Sequence, residues 1–159
     1  FFKPNFLSSN FFFSVITIII PRHINRTNEI IDTLNNLDLD CITHSSNQKL
    51  QEDTDVYLVD SYGESSKFYN LTNICFVGGS IINHGGQNPL EPTRLGNFII
   101  NGPNVKNFKE IYAFLNDLKI SSSTSNILKM ENIILKSLKT YHFFALKTRV
   151  HYSDLSNQV

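Results

Sequence analysis

The stretch Val56–Ser80 reads VYLVDSYGESSKFYNLTNICFVGGS. Val56 to Asp60 is an apolar, β-prone run of strand length, and Gly63 to Asn70 has helical spacing. Ile74 to Val77 is a second apolar run, which Gly78-Gly79 breaks sharply. Continuous apolar strands joined by a helix belong to a parallel sheet, whose strands are covered on both faces and lack the alternation of a half-exposed sheet.

The same alternation continues in both directions. Toward the N-terminus, Val15 to Ile20 reads as a strand closed by Pro21 and buried on both faces. A helix follows with Ile30, Ile31 and Leu34 on one side, ending at Asn35-Asn36, and then a short strand at Leu39 to Thr43. Toward the C-terminus the chain predicts a short helix at Leu90 to Leu95 and a strand at Phe98 to Asn101. An amphipathic helix follows from Phe108 to Leu118, with Phe108, Ile111, Tyr112 and Leu115 on its apolar stripe. Ser121 to Ser125 reads as a polar loop, the residues from Asn126 to about Tyr152 as a helix, and the last few as a fraying end. Strands alternating with helices define an α/β chain built on a doubly wound parallel sheet, and such sheets bind ligands at the carboxyl ends of their strands.

Composition narrows the class. The chain has 159 residues, which is room for one domain, and 14 basic residues balance 14 acidic ones. No global field draws nucleic acid or an anionic membrane, so an anionic ligand has to be met locally. Two cysteines exclude a disulfide scaffold, and neither sits in a zinc-like cluster, so buried thiols in the cytoplasm are expected. The run Phe11 to Ile20 lacks small residues for signal cleavage and is too short to span a bilayer as a helix. The chain starts at Phe1 rather than Met, and a fragment is expected.

The strand ends hold the polar motifs. Arg22, in Pro21-Arg22-His23, can offer a phosphate two parallel hydrogen bonds, or can pair with a surface carboxylate. In Asp60-Ser61-Tyr62-Gly63-Glu64 the glycine lets a backbone approach a ligand, while Glu64 suits either a sugar hydroxyl or a helix dipole. Gly78-Gly79-Ser80 and Gly85-Gly86 make a glycine-dense loop without Walker or GxGxxG spacing, so ligand approach and simple turn geometry both explain it. Asn88-Pro89-Leu90-Glu91 reads as a helix start, with Asn88 as N-cap, Pro89 at the first helical position and Glu91 at the third. The same terminus can hold an anion while Glu91 engages ligand hydroxyls. Asp38-Leu39-Asp40 imitates a metal-binding DxD but lies away from the strand ends, and no metal is predicted.

Taken together, Pro21-Arg22-His23, Asp60 to Glu64, Phe76 to Ser80, Gly85 to Pro92, and Gly102-Pro103 with Asn107-Phe108 closely resemble the C-terminal half of the 3-deoxy-D-manno-octulosonic acid (Kdo) transferases. The likeness covers about Phe13 to Leu118, and the GGSxxxxGGxNxLEP run is far more specific than its parts. The resemblance implies the Rossmann-like C-terminal domain of a GT-B glycosyltransferase. Residues 13–150 would be the CMP-sugar-binding domain, 1–12 an N-terminal remnant and 151–159 a tail. It implies transfer of Kdo from CMP-Kdo to a lipid A precursor, lipid IVA, at the cytoplasmic side of the inner membrane, with no cofactor. Pro21, Arg22, Tyr62, Gly63, Glu64, Gly79, Ser80, Asn88, Pro89, Leu90 and Glu91 would bind the donor's CMP. The family's general base, acceptor site and membrane anchor belong to its N-terminal domain. This chain alone is therefore expected to be soluble and not to turn over; a truncated, non-catalytic nucleotide-sugar-binding relic is the alternative. Two departures stand out: Ser65-Ser66 replaces apolar residues after the Gly-Glu pair, and Asn97 stands where a proline is usual.

Overall fold

A computed structural model describes residues 15–145, and the backbone alone for 139–145. Phe11 to Ser14, the helical residues expected beyond Ala145 and the final tail lie outside the described residues. The described chain falls into two compact units, one up to Ser65 and one from Ser66 onward.

The first unit contains β1 (Thr17–Ile19), a 3-10 turn (Ile24–Arg26), α1 (Thr27–Asn35), β2 (Cys41–Thr43), a second 3-10 turn (His44–Ser46) and β3 (Val56–Leu58). All three strands run parallel in the order β1-β3-β2, with Thr17 opposite Val56 and Cys41 also opposite Val56. The central position of β3 explains its uninterrupted apolar sequence: Val56, Tyr57 and Leu58 are all buried, Leu58 completely. β1 pairs with β3 alone and is only half-buried, with Thr17 exposed. The expectation that it is buried on both faces is corrected accordingly, because among the described residues only one neighbouring strand covers it. α1 lays Leu34 against Leu39 and Val56, with Ile19, Ile30 and Cys41 around them. Burying a leucine of this kind contributes about 1.5–3 kcal/mol.

The Asp38-Leu39-Asp40 segment is a turn into β2. Asp38 takes a left-handed backbone at φ 53°, Leu39 enters the core, and the Asp40 N–H donates to Asp55 Oδ2 at 2.9 Å. Among the described residues, no three His, Cys, Asp or Glu side chains are grouped to hold a metal ion.

The second unit contains α2 (Ser65–Leu71, its first residue at the boundary), β4 (Ile74–Val77), α3 (Leu90–Arg94) and β5 (Phe98–Asn101). It continues through a 3-10 turn (Lys106–Phe108), α4 (Lys109–Asp117), β6 (Ser121–Ser123) and α5 (Ile127–Ala145). Its strands are parallel in the order β4-β5-β6. Ile99 and Ile100 of central β5 are fully buried. The expected stripe of α4 packs as anticipated: Tyr112 and Leu115 join Val77 and Ile99, flanked by Phe108 and Ile111.

The serine run expected as a loop is a strand. Ser121–Ser123 pairs with Ile99–Asn101, and the Ser123 hydroxyl donates to the Gly102 carbonyl at 3.2 Å. A strand is made by its ladder, and a row of small polar side chains forms one when a neighbouring strand offers unpaired backbone groups.

The expected parallel α/β architecture therefore forms, with its strands hydrogen-bonded as two three-stranded sheets and with β3 and β4 in different ones. No helix among the described residues is long and apolar enough to cross a membrane. Cys41 and Cys75 are free and partly buried, and burial pushes the Cys75 thiol up to about 11.

Candidate functional site

In the first unit, parallel pairing of β1 with β3 puts their carboxyl ends side by side, so Pro21-Arg22 and Asp60–Glu64 leave neighbouring strands at one sheet edge. Arg22 is exposed, and no carboxylate pairs with it among the described residues; the ion pair of this unit is Arg26 with Glu29 at 2.7 Å. The Asp60–Glu64 loop is anchored at its first residue. The Ser45 N–H donates to Asp60 Oδ1 at 2.9 Å and the Ser45 hydroxyl to Oδ2 at 2.5 Å. Partial burial raises the Asp60 carboxyl, but the Ser45 hydrogen bonds and nearby His44 outweigh it and hold the group below its ordinary value. Next to this anchor, His44 Nδ1 lies 2.8 Å from the Tyr57 hydroxyl, so the turn after β2 is tied both to β3 and to the loop that follows it.

Beyond the anchor the loop turns at Gly63, whose φ of 81° no β-carbon-bearing residue adopts without strain. Tyr62 is left 68% exposed. The Ser61 hydroxyl, not singled out from the sequence, is buried with no hydrogen-bond partner among the described residues. A lone serine inside a loop carries no sequence signal for that.

In the second unit, Gly79, Ser80 and Asn88 to Glu91 gather at the carboxyl edge of β4-β5-β6. Ser80 is fully buried: its hydroxyl donates to the Val77 carbonyl at 2.6 Å and accepts from the Gly102 N–H at 2.8 Å. It staples the end of β4 to the end of β5. The loop that follows is braced from one side by residues 104–112. The Asn104 N–H donates to Ser80 O, Asn104 Nδ2 to Ile81 O, Asn107 Nδ2 to His84 O and the Tyr112 hydroxyl to Gln87 O. At Gly85 the left-handed φ of 83° favours glycine, and an added β-carbon, 2.5 Å from Asn107 Nδ2, would push that side chain aside.

The glycine-dense loop ends in α3. The helix begins at Leu90, as expected, but Pro89, buried, takes the cap position assigned to Asn88 and lies outside the helix; Asn88 Oδ1 still accepts from the Leu90 N–H at 3.0 Å. Glu91 is exposed and accepts from the Ser66 hydroxyl at 2.7 Å, a partnership across 25 residues that no motif announces.

α2 and α3 are joined by Asn97, which is 3% exposed. Its Nδ2 donates to the Tyr69 carbonyl at 2.8 Å and the Pro92 carbonyl at 3.2 Å, and its Oδ1 accepts from the Thr72 hydroxyl at 2.6 Å. Burial, with Cys75 and Glu91 nearby, pushes the Tyr69 phenol up to about 12. With seven and five residues, these helices have little macrodipole, and what they offer a ligand is the N–H groups of their first turns and the carboxylate of Glu91.

Each unit carries its own set of groups. The first presents a guanidinium and a turn with an exposed tyrosine, and the second a braced glycine loop, a helix start and an oriented carboxylate. Such groups suit an anionic ligand that also carries hydroxyls.

No family model matches the chain. Among curated proteins it is 34% identical over 128 residues to the 3-deoxy-D-manno-octulosonic acid transferase of Haemophilus influenzae, covering 78% of this chain and 30% of the relative. It is 36% identical over 100 residues to the protein of the same name from Rickettsia felis, covering 63% of this chain and 21% of the relative. The chain therefore spans less than a third of the length of these relatives. Among solved structures, the C-terminal CMP-Kdo binding domain of WaaA from Acinetobacter baumannii matches with a TM-score of 0.74 at 34% identity, over 78% of this chain and 65% of that one. Sequence and fold agree: over most of its length the chain is similar to 3-deoxy-D-manno-octulosonic acid transferases, the likeness lying in their C-terminal part.

Proposed function

We propose that this chain is the donor-binding part of a Kdo transferase and holds CMP-Kdo by its CMP portion. The observation that carries the reading is the agreement between the braced loop Gly78 to Glu91 and the 34% identity, at a TM-score of 0.74, to a domain that binds CMP-Kdo. In the transfer, the bond between the Kdo anomeric carbon and the phosphate oxygen breaks, and CMP leaves with the electron pair. An acceptor hydroxyl then bonds that carbon and gives up its proton. Charge develops on the departing phosphate oxygen, and donors already in place where it develops lower the barrier.

The candidate residues divide the work among them. Arg22 gives a bidentate pair to the phosphate. Tyr62, Gly63 and Glu64 form the turn that the nucleotide approaches, while Gly79, Asn88, Pro89 and Leu90 shape the loop and helix start. Ser80 acts from beneath by holding β4 to β5, and Glu91 accepts hydrogen bonds from ligand hydroxyls. The acceptor, a lipid A precursor, the base that takes its proton and the contact with the cytoplasmic face of the inner membrane would come from the part of the family's length that these residues do not span.

Isothermal titration of the chain with CMP, with and without EDTA, tests the reading. Saturable binding indifferent to the chelator is expected. A folded chain that takes up no CMP would overturn the proposal for this chain.

A further inference from the structure

Ser66 is one of the two serines standing where apolar residues are expected, and its hydroxyl donates to Glu91 at 2.7 Å. Both side chains are exposed, so their hydrogen bond adds little to folding. Its consequence lies in orientation. A glutamate side chain turns about three bonds, and freezing it when a ligand arrives costs affinity; a partner that holds it beforehand removes part of that cost.

We infer that Ser66 is a positioning residue that fixes Glu91 for the ligand and, together with it, selects a ribose over a deoxyribose. The inference rests on the donor-site reading above. A serine hydroxyl has one proton, and here it goes to Glu91, so what Ser66 presents outward is its oxygen lone pairs. Beside a carboxylate, which also only accepts, the pair forms an acceptor surface. A phosphate brings no donors to such a surface and is repelled by it. A vicinal diol brings two hydroxyl donors at the spacing of adjacent carbons, and the 2′ and 3′ hydroxyls of a ribose are such a diol.

The test titrates the full 159-residue chain and its S66A, S66T, E91A and S66A/E91A variants with CMP and with 2′-deoxy-CMP. S66A should weaken CMP binding by about three- to tenfold, the effect of one hydrogen bond, and reduce the preference for CMP over its deoxy analogue. S66T, which keeps the hydroxyl, should restore both, and S66A should add nothing once Glu91 is gone. Melting temperature should not move with S66A, which separates positioning from folding. CMP binding weakened by E91A but untouched by S66A would overturn the role of Ser66 and leave the donor site standing. An S66A effect of equal size with and without Glu91 would also overturn it. A parent chain that binds no CMP would instead sink the donor-site reading, and this inference with it.

Discussion

Replacing Asn97 by aspartate exchanges one NH2 group for an oxygen at a site that is 3% exposed, where Nδ2 faces the Tyr69 carbonyl at 2.8 Å and the Pro92 carbonyl at 3.2 Å. The acceptor side survives, because the Thr72 hydroxyl can still donate to Oδ1. The donor side is reversed: the Tyr69 and Pro92 carbonyls lose the Nδ2 donor and face an oxygen instead, keeping the Thr72 and Asn97 backbone N–H groups as donors. Losing both Nδ2 donations and setting a buried charged oxygen against two carbonyls should cost Asn97→Asp about 2–4 kcal/mol at pH 7. For a chain of this length, about 1 kcal/mol lowers the melting temperature by about 2–4 °C, so a drop of about 4–16 °C is expected.

The loss should depend on pH. Once protonated, the introduced carboxyl can donate its hydroxyl to the Tyr69 carbonyl, so the folded state favours the acid form and raises its pKa above the unfolded value of about 3.9. Stability relative to the parent is then best below the unfolded pKa and is lost as pH rises through the folded one. Asn97→Ala removes the whole group and should destabilise by a similar amount with no such pH dependence. Urea denaturation of the parent and both variants from pH 4 to pH 7 measures the three curves. An Asn97→Asp penalty that is flat across this range, or below about 0.5 kcal/mol, would refute the role given to this network. Since Asn97 ties α2 to α3, CMP affinity should fall in the same order as stability.

Gly85→Ala should cost about 1–2 kcal/mol for a left-handed backbone and about 1 kcal/mol more for displacing Asn107 from the His84 carbonyl, as read by thermal melting. Gly78→Ala is the control, since a β-carbon there meets nothing within 4 Å. The Asp60 carboxyl, followed by NMR titration, should ionise below the ordinary 3.8, and Ser45→Ala should raise its midpoint. What this group adds to stability is thus present above the ordinary carboxylate pKa and lost as pH falls through the lower folded one, and a midpoint at or above 3.8 contradicts the anchor. Arg22→Ala and Glu91→Ala should each weaken CMP binding by about 1–3 kcal/mol in a calorimetric titration, and unchanged affinity in both would refute their assignment.

The extent to which the fold could be read in advance differs between its parts for physical reasons. β4 and β5 begin and end where expected, because each is a short β-prone run bounded by asparagine and glycine; β5 is buried almost throughout, whereas β4 leaves Phe76 exposed. The α4 stripe was equally plain, since a 3.6-residue period repeats within eleven neighbouring positions. β6 could not be read this way: Ser121–Ser123 has no apolar pattern, and what makes it a strand is the free edge of β5. The same holds for β1, whose apolar sequence suits a buried strand and whose edge position leaves it half-covered.

At the candidate site, residue types and motif spacing pointed to Arg22, the Asp60–Glu64 turn, the glycine loop and Glu91 as candidates. The contacts around them were invisible there: Ser66 meets Glu91 across 25 positions, Ser80 meets Gly102 across 22, and Asn97 meets Tyr69 across 28. The sequence by itself determined the alternation of strand and helix, the turns that require glycine and the family to which the motifs point, because each is written in residues close together along the chain. Only the tertiary structure decided that β3 and β4 enter different sheets, that a serine run completes one of them and that Ser80 braces while Glu91 faces outward. Strand pairing and side-chain partnership depend on which distant backbone groups arrive within hydrogen-bond reach.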